Sequence, residues 1–215
     1  MERISTTKER PARKRRTQQD RSAETQAQLI AGTMQALVDV GYASATTSVI
    51  AGRSGVTTGA LQHHYGSKDI LILAVLDHHY GIVREQLESV AVERPKSIAE
   101  VGKTLGQLMS KLGEVYGSED YLAIWEILLG TRGDRNLHTS VIAHRKGSVA
   151  MSEKLWLDTF RDVGIGKQKL KDLFHLTMSV LRGIVFYRAV EPDPNVIQRQ
   201  IKLLASCVEM EMKHS

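Results

Sequence analysis

The sequence predicts an all-α protein with a small N-terminal head and a larger C-terminal body, about nine helices in all. Apolar residues recur at three- and four-residue spacing along most of the chain, and no segment alternates as a strand does. Only 4 prolines and 5% aromatic residues are present, and this composition favours helix over strand. Glycine, serine and proline fall between the periodic segments, where helices are expected to end.

Amino-acid composition further limits the kind of protein that this sequence can encode. The 215 residues are 42% hydrophobic, which is enough apolar material for one globular unit or two small ones. Cys207 is the single cysteine, so an internal disulfide framework is excluded and a reducing cytoplasm is expected. The basic N-terminus lacks the apolar segment of a signal peptide, and no apolar segment is long enough to cross a bilayer. We therefore expect a cytoplasmic protein with no membrane partner.

Residues 1–21 form a basic segment. They hold eight Lys or Arg and three acids, and the surplus of five equals the formal net charge of +5 for the whole chain. With almost no apolar residues this segment is predicted to be a disordered arm. Such an arm can lie along phosphates or enter a minor groove, with Arg13, Arg15 and Arg16 as candidate contacts. The alternative is a solubilising tail.

The next segment, residues 22–67, is predicted to form three helices that pack together as a head. The first runs from about Ser22 to Val40 and ends at Gly41. Thr46 or Thr47 can N-cap a short second helix, and Gly55 supplies a tight turn. Thr57 then caps a third helix, which Gly66-Ser67 ends. Two short helices joined by a glycine turn are typical of a helix-turn-helix, whose second helix enters the DNA major groove. The alternative is an ordinary helical hairpin within an all-α core.

The same stretch resembles a known family. The pattern comprises Thr47, Ile50-Ala51, Ser54-Gly55-Val56-Thr57-Thr58-Gly59-Ala60-Leu61, His64-Tyr65, Ser67-Lys68-Asp69 and Leu71. In this register it resembles the signature of the TetR (tetracycline-repressor-like) transcriptional regulators over residues 22–75. The resemblance implies a helix-turn-helix head on a helical body that binds an effector and dimerises. Gln62 stands where the family usually has an aromatic residue, so the contact made by that aromatic is not expected here.

Double-stranded operator DNA is therefore the expected partner. Residues 22–68 carry Arg53 and Lys68 against Glu24 and Asp39, so hydroxyls and helix N-termini are expected to make most phosphate contacts. Tyr42 is expected either to pack or to contact a phosphate. Thr58, Gln62 and His63 are expected nearest the bases. The predicted DNA-binding residues are Tyr42, Thr47, Thr57, Thr58, Gly59, Gln62, His63, His64 and Lys68, together with Arg13, Arg15 and Arg16 of the arm.

The body, residues 68–215, is predicted to begin within a fourth helix from about Ser67 to Ala91. Its segment Ile70 to Leu76 is apolar on every side and is expected to be buried all round. Ser97 to Glu100 reads as a capping box that opens the fifth helix. The sixth and seventh helices are predicted at about 121–129 and 137–163. An eighth follows Gly164 and Gly166 and runs to Val190, and a ninth, capped by Asp193-Pro194, is predicted at about 194–212.

An effector pocket in the body is implied by the resemblance. The candidate lining residues are Met109, Leu112, Tyr116, Trp125, Leu129, Phe174 and Met178, with Glu126, Arg132 or His175 as polar anchors. Each of them can equally be plain core, because apolar stripes at helical spacing usually are. The effector is unknown, and no cofactor is expected.

The last two long helices carry apolar residues on two faces. The second face comprises Leu176, Val180, Gly183, Tyr187, Val196, Leu203 and Cys207. A helix pair with two apolar faces needs a second partner, and a symmetric copy is the commonest one. We therefore expect a homodimer with a four-helix interface. The alternative is that both faces are buried within one chain.

These features predict a sequence-specific DNA-binding regulator, a dimeric repressor that a small molecule releases from its operator. One alternative is a DNA-binding protein of the same fold without a ligand, such as a nucleoid or division factor. Another is an all-α enzyme, but the sequence contains no metalloprotease, P-loop or serine-hydrolase motif. The doubled Glu-x-x-His motif of a di-iron bundle is also missing, so no metal site is expected.

Overall fold

The structure, a computed structural model, describes residues 17–190 and 193–214. This part of the chain contains α-helices, two short 3₁₀ turns and no strand, which confirms the all-α prediction. The α-helices are α1 (Gln18–Ser44), α2 (Thr47–Ser54), α3 (Thr58–Tyr65), α4 (Lys68–Ala91), α5 (Val101–Tyr116), α6 (Asp120–Gly130), α7 (Arg135–Thr159), α8 (Lys167–Val190) and α9 (Pro194–Lys213). None of these described helices is long and apolar enough to span a membrane.

Helix α1 begins four residues before the predicted start at Ser22. The Thr17 hydroxyl accepts a hydrogen bond from Asp20 N at 3.1 Å, and Thr17 N donates to the Asp20 carboxylate at 2.9 Å. This reciprocal capping box satisfies two backbone N–H groups in a stretch without apolar periodicity, which is why the pattern did not predict it. Residues 18–21 therefore belong to α1 and not to the arm. Arg13, Arg15 and Arg16 lie outside the described residues.

Two glycines shape the head. Gly41 has φ +73° and interrupts the helical backbone of α1, in agreement with its predicted role at the end of the first helix. Gly32 lies where α1 crosses α2, and a Cβ built on it would come within 2.6 Å of the backbone nitrogen of Ser54. Only glycine therefore allows these two helices to approach so closely.

Helix α4 joins the head to the body. Leu71, Ile72, Val75 and Leu76 are fully buried, as predicted, but the side chain of Ile70 is 55% exposed. Leu73 and Ala74 are half-buried. The expectation that this whole segment is buried on every side is therefore wrong, because one side of α4 packs in the core and the other is partly exposed.

Two helix boundaries in the body differ from prediction. The Ser97 side chain makes no capping hydrogen bond, and Glu100 instead accepts from Lys96 N at 2.9 Å, so a 3₁₀ turn precedes α5. Helix α7 ends at Thr159 and not near Val163. Phe160 and Val163 are buried in the turn that follows, so the apolar spacing continues after the helix itself has ended. The predicted cap of α9 is confirmed, since Asp193 accepts from Asn195 N at 2.9 Å with Pro194 in the first turn.

Candidate nucleic-acid interface

Helix α3 is fixed within the head by a turn, a cap and a buried leucine. Gly55 adopts a left-handed conformation with φ +66°, which closes the turn after α2. The Thr57 hydroxyl then accepts a hydrogen bond from Ala60 N at 3.1 Å and caps α3. Leu61 is 1% exposed and anchors the helix in the core. The turn, the cap and the anchor hold the opposite side of α3 toward solvent in a defined orientation.

The outer side of α3 carries small and hydrogen-bonding residues. Thr58, Gly59, Gln62 and His63 are all exposed. A Cβ built on Gly59 would have only the Thr57 hydroxyl within 4 Å, at 3.7 Å, so internal packing does not require a glycine there. An amide, a hydroxyl and an imidazole can donate to and accept from base edges, and no bulky aliphatic side chain blocks the approach.

Further polar groups surround this side of α3. Thr46, not Thr47, caps α2, since its hydroxyl accepts from Val49 N at 3.3 Å. Thr47 is consequently exposed with no capping role. The Thr57 oxygen is used as an acceptor in its cap, but its O–H proton can still be donated to a phosphate. The ring of His64 is half-buried and meets His63 edge-on, with centroids 5.3 Å apart.

Tyr42 of the head is held by two groups of the body. Its backbone N–H donates to Glu126 of α6 at 3.0 Å, and its carbonyl accepts from Lys68 Nζ at 2.9 Å. The same ammonium lies 4.2 Å from the Tyr42 ring centroid, a cation–π contact. Burial lowers the pKa of Lys68 and raises that of Tyr42. Lys68 therefore already has one intramolecular acceptor, and two of its three ammonium protons remain for a phosphate.

The role of Glu126 was not foreseen. The sequence suggested it as a polar anchor for a ligand, whereas its carboxylate bonds the backbone of the head. Of the other two suggested anchors, Arg132 is exposed. His175 is also exposed, and its Nε2 lies 3.0 Å from Glu153.

Most of the predicted pocket residues are buried in the core of the body. Met109, Leu112, Tyr116, Phe174 and Met178 are buried in the core, while Leu129 is 52% exposed. An open groove of about 1110 Å³ runs between α5 and α9, and Met109 is the only one of the predicted residues that lines it. Tyr116 and Trp125 belong to a different group of side chains.

That group, the aromatic cluster, consists of His79, Tyr80, Tyr116, Tyr121 and Trp125, which come from α4, α5 and α6. The His79 ring stacks on Tyr121 with centroids 5.1 Å apart. Tyr116 meets the same Tyr121 ring edge-on at 4.7 Å. Burial lowers the pKa of His79 to about 4 and raises the pKa of Tyr80 to about 12. The imidazole is therefore neutral at neutral pH. Sequence periodicity gave no signal for this cluster, because its members lie on three different helices.

Two polar atoms of the cluster are buried without a hydrogen-bond partner in the described part of the chain. They are the Tyr80 hydroxyl and the Trp125 indole nitrogen. Two arginines, Arg145 of α7 and Arg182 of α8, lie near the cluster. The Arg145 guanidinium lies 6.0 Å from the Trp125 ring centroid. The positive charges of both arginines act on the Tyr80 hydroxyl and lower its pKa, although burial outweighs them.

The outer side of α8 and α9 exposes apolar residues, as predicted. Leu176, Val180 and Leu203 are 53%, 37% and 66% exposed, and Cys207 is exposed as well. A shallow depression of about 460 Å³ on this side is lined by Val180, Gly183, Ile184, Tyr187, Gln200, Leu203, Leu204 and Cys207. The inner side of α8 is packed in the core, where Leu170, Phe174 and Leu181 are buried.

Comparison with known sequences agrees with this architecture. Residues 29–75 match the family model described as bacterial regulatory proteins, tetR family. The chain is 47% identical over 156 residues to the HTH-type transcriptional regulator BetI 1 of Chromohalobacter salexigens, covering 60% of this chain and 76% of that protein. It is 25% identical over 186 residues to the HTH-type transcriptional regulator CymR of Pseudomonas putida, covering 86% and 90% of the two chains.

Solved structures share the fold. A transcriptional regulator from Rhodococcus sp. Rha1 superposes with a TM-score of 0.68 at 16% identity, covering 85% of this chain and 95% of that one. The regulator FadR of Bacillus subtilis, solved in complex with stearoyl-CoA, gives a TM-score of 0.61 at 16% identity over 86% of this chain and 96% of its own. Helix-turn-helix, helical body and relatives together show that the chain belongs to the TetR family of bacterial transcriptional regulators, with a DNA-binding helix-turn-helix in its N-terminal helices.

Proposed function

We propose that this protein is a dimeric repressor that binds a specific operator and is released from it by a small-molecule effector. In this proposal residues 22–67 read the DNA, and residues 68–215 bind the effector and dimerise. The observation that carries the proposal is the outer side of α3, where Thr58, Gln62 and His63 are exposed. The opposite side of the same helix is anchored in the core by buried Leu61. A rigid helix with an outward polar side is the arrangement that enters a major groove.

The proposed contacts with DNA divide into two groups. Thr58, Gln62 and His63 would lie nearest the base edges, and Gly59 would allow the backbone to approach the DNA closely. A second group would hold the DNA backbone from either side of α3. It comprises Tyr42, Thr47, Thr57, His64 and Lys68, with Arg13, Arg15 and Arg16 of the arm.

Dimerisation through α8 and α9 is supported by their exposed outer side. Leucine and valine side chains there are adjacent and surround a shallow apolar depression, and burying them against a symmetric copy would remove them from water. Leu203→Glu is expected to give monomers in sedimentation, because it places a charge in that interface. Val92→Glu is the control, since Val92 is 82% exposed at the end of α4. If Leu203→Glu sediments like the unmodified protein, this interface is wrong.

We propose that α4 transmits the effect of ligand binding in the body to the DNA-binding head. The first turn of α4 holds Lys68, while His79 and Tyr80 further along the same helix lie in the aromatic cluster. A ligand that separates α4 from the other body helices would tilt it, move each head and change the spacing between the two α3 helices. The hydrogen bond from Tyr42 to Glu126 supports a second route, from α6 to the end of α1.

A cysteine pair that pins α4 to the body near Val75 tests the release route. Val75 is fully buried, so a cross-link there should hold the helix without altering the exposed side of α3. The pinned protein is expected to keep its operator affinity and to lose its response to effector. Release of the operator by effector in the pinned protein would exclude α4 as the route.

The proposed activity itself is tested by transcription in vitro. The operator, obtained by selection, is placed over a promoter, and transcripts are measured with purified polymerase as protein is added. A repressor lowers the yield, and Gln62→Ala requires more protein for the same effect. A yield that rises with added protein would show an activator instead.

A second candidate is a DNA-binding protein of this fold that takes no small ligand. The burial of Met109, Leu112, Phe174 and Met178 favours it, because apolar residues at helical spacing usually pack as ordinary core. Ligand-dependent loss of operator affinity would rule this candidate out.

A further inference from the structure

Helix α3 carries no permanent positive charge, because its sequence contains neither lysine nor arginine. The rest of the head adds little. Arg53 is paired with Asp39, and Lys68 already donates to the Tyr42 carbonyl. Affinity for DNA nevertheless depends strongly on cations that neutralise phosphates. The helix that is proposed to enter the major groove therefore needs another source of positive charge.

Two adjacent histidines lie in the last turn of α3. His63 is exposed and His64 is half-buried, and their rings meet edge-on with centroids 5.3 Å apart. The other six histidines of the chain all lie beyond residue 77, outside the head. An imidazole is the side chain that ordinarily becomes charged between pH 8 and pH 5. Protonation of either ring would give α3 its first full positive charge.

The elements packed against α3 provide no anionic partner for these rings. Helix α3 contacts α1, α2 and α4. In the described residues 17–190 and 193–214, the histidines that pair with a carboxylate are His144 and His175, so neither histidine of α3 does. The charged groups of α1, of α2 and of the first turn of α4 are Asp20, Arg21, Glu24, Asp39, Arg53, Lys68 and Asp69.

Bound DNA would supply the missing anion. Two positive charges on rings as close as His63 and His64 repel each other, and a phosphate beside them offsets that repulsion and favours the charged form. The carboxyl end of α3, where both rings lie, also favours a positive charge because of the helix dipole. The protein bound to DNA should therefore hold more protons than the free protein at the same pH.

We propose that His63 and His64 take up protons from solvent when the protein binds DNA, so that operator affinity increases as the pH falls. Charged His64 would donate to a phosphate oxygen, and charged His63 would donate to an acceptor on a base edge, such as guanine N7 or O6. The inference rests on the proposed DNA-binding function and adds a regulation of that same site.

The sign of the effect follows from linkage. At high pH both imidazoles are neutral in the free and the bound protein, and at low pH they are charged in both. Between these limits the complex holds more protons, so lowering the pH favours the complex. Burial holds the pKa of His79 in the body at about 4, so that histidine does not gain its proton in this range.

The test measures operator affinity of the full chain by fluorescence anisotropy from pH 8 to pH 6 at constant ionic strength. Circular dichroism at each pH confirms that the protein stays folded. Affinity is expected to increase about tenfold or more over this range, because each imidazolium replaces a neutral hydrogen bond with a charge-assisted one. The slope of log K against log salt should also be steeper at pH 6, by about 0.9 for each phosphate that an imidazolium neutralises.

Variants assign the effect to α3. His63→Gln and His64→Gln keep a hydrogen-bonding side chain without its titration, so each should reduce the pH dependence and the double variant should remove it. His64→Lys stays charged and should bind more tightly at pH 8 than His64→Gln does. The matched control replaces exposed His78 and His214 of the body by Gln and should keep the full pH dependence.

Proton uptake is also counted without any variant, from the heat of operator binding in two buffers of different ionisation enthalpy. The unmodified protein should take up protons at pH 7. No uptake, an affinity that stays constant from pH 8 to pH 6, or a double His63→Gln, His64→Gln variant with unaltered pH dependence would overturn the inference. Equal salt slopes at the two pH values would do the same. Operator binding that does not change with pH would leave the proposed function standing, whereas no operator binding at any pH would reject that function itself.

Discussion

Residues of α3 divide into a buried anchor and an exposed reading side. Leu61 is 1% exposed, while its neighbour Gln62 is exposed, so one helical position separates packing from recognition. Internal packing does not require a glycine at position 59. The small size of Gly59 therefore benefits only a molecule that approaches from outside. We infer that substitutions on the outer side change DNA recognition without changing stability.

Gln62 tests this inference. Gln62→Ala is expected to cost about 1–3 kcal/mol of operator binding and to relax preference at one base position, since an amide can bond an adenine edge with two hydrogen bonds. Fluorescence anisotropy with a set of single-base operator variants measures both effects. Gln107→Ala, exposed on α5, controls for the loss of a glutamine elsewhere. Unchanged affinity and preference in Gln62→Ala would remove its base-reading role.

His79 links the aromatic cluster to pH. Its folded pKa of about 4 lies below the ordinary value of 6.5, mainly because of burial and further because of His78 and Arg182. The unfolded chain therefore binds this proton more readily than the folded one. Its effect on stability is constant above about pH 6.5, and folding weakens as pH falls from there toward 4. The loss of folding free energy should approach about 3 kcal/mol.

Urea unfolding at a series of pH values measures this effect. His79→Phe, which keeps a ring beside Tyr121, should flatten the pH dependence over that window. His214→Gln, at the exposed C-terminal end of α9, should leave it unchanged. A His79→Phe profile parallel to that of the unmodified protein would show that other groups cause the destabilisation.

At the scale of helices, the head meets the body where α1 packs on α6 and α4, and Tyr42 is one point of that contact. Tyr42, just after the interruption at Gly41, bonds Glu126 of α6 through its N–H and Lys68 of α4 through its carbonyl. Gly130 of α6 gives the Tyr42 ring its space, because a Cβ there would come within 2.5 Å of the ring carbon Cγ. Two body helices thus hold the last turn of α1, beyond Gly41.

Glu126→Ala should destabilise the protein by about 1–2 kcal/mol, because it leaves the half-buried Tyr42 N–H without its acceptor. Glu126→Gln keeps an acceptor oxygen and should lose less than half as much. Urea denaturation gives both values. If the two variants were equally unstable, the side-chain charge rather than the hydrogen bond would be important.

Sequence periodicity predicted most of the helices, because each buries apolar residues, although the end of α7 was misplaced. Local hydrogen bonds were harder to predict. The Thr17 capping box lies in a polar stretch, and Ser97 lacks the bond that its motif suggested. The outer side of α3 followed from spacing alone, as did the apolar outer side of α8 and α9. The aromatic cluster did not, because its members come together only through the packing of α4, α5 and α6.

For the whole molecule, charge is unevenly distributed. Residues 1–21 carry a surplus of five positive charges, equal to the net charge of the entire chain. If Arg13, Arg15 and Arg16 bind phosphates, replacing all three by Gln should reduce the slope of log K against log salt. The reduction should be about 0.9 for each phosphate that the variant no longer neutralises.

The control has the same change in net charge at distant sites, with exposed Lys146, Lys154 and Lys202 replaced by Gln. Operator affinity is measured for both triple variants over a range of salt concentrations. Equal slopes in the two variants would mean that the N-terminal segment acts only as a solubilising tail.

The most direct test of a dimeric, sequence-reading regulator is selection of bound DNA from a random pool by the full-length protein. A two-fold dimer presents two α3 helices, so the enriched sequences should contain an inverted repeat. Its half-site centres should be about 34–36 Å apart, or a multiple of that distance, since each helix must meet a major groove. Gln62→Ala should select the same repeat with one position relaxed in each half. Enrichment of no sequence, or of a single unrepeated site, would contradict a two-fold dimer that reads DNA through α3.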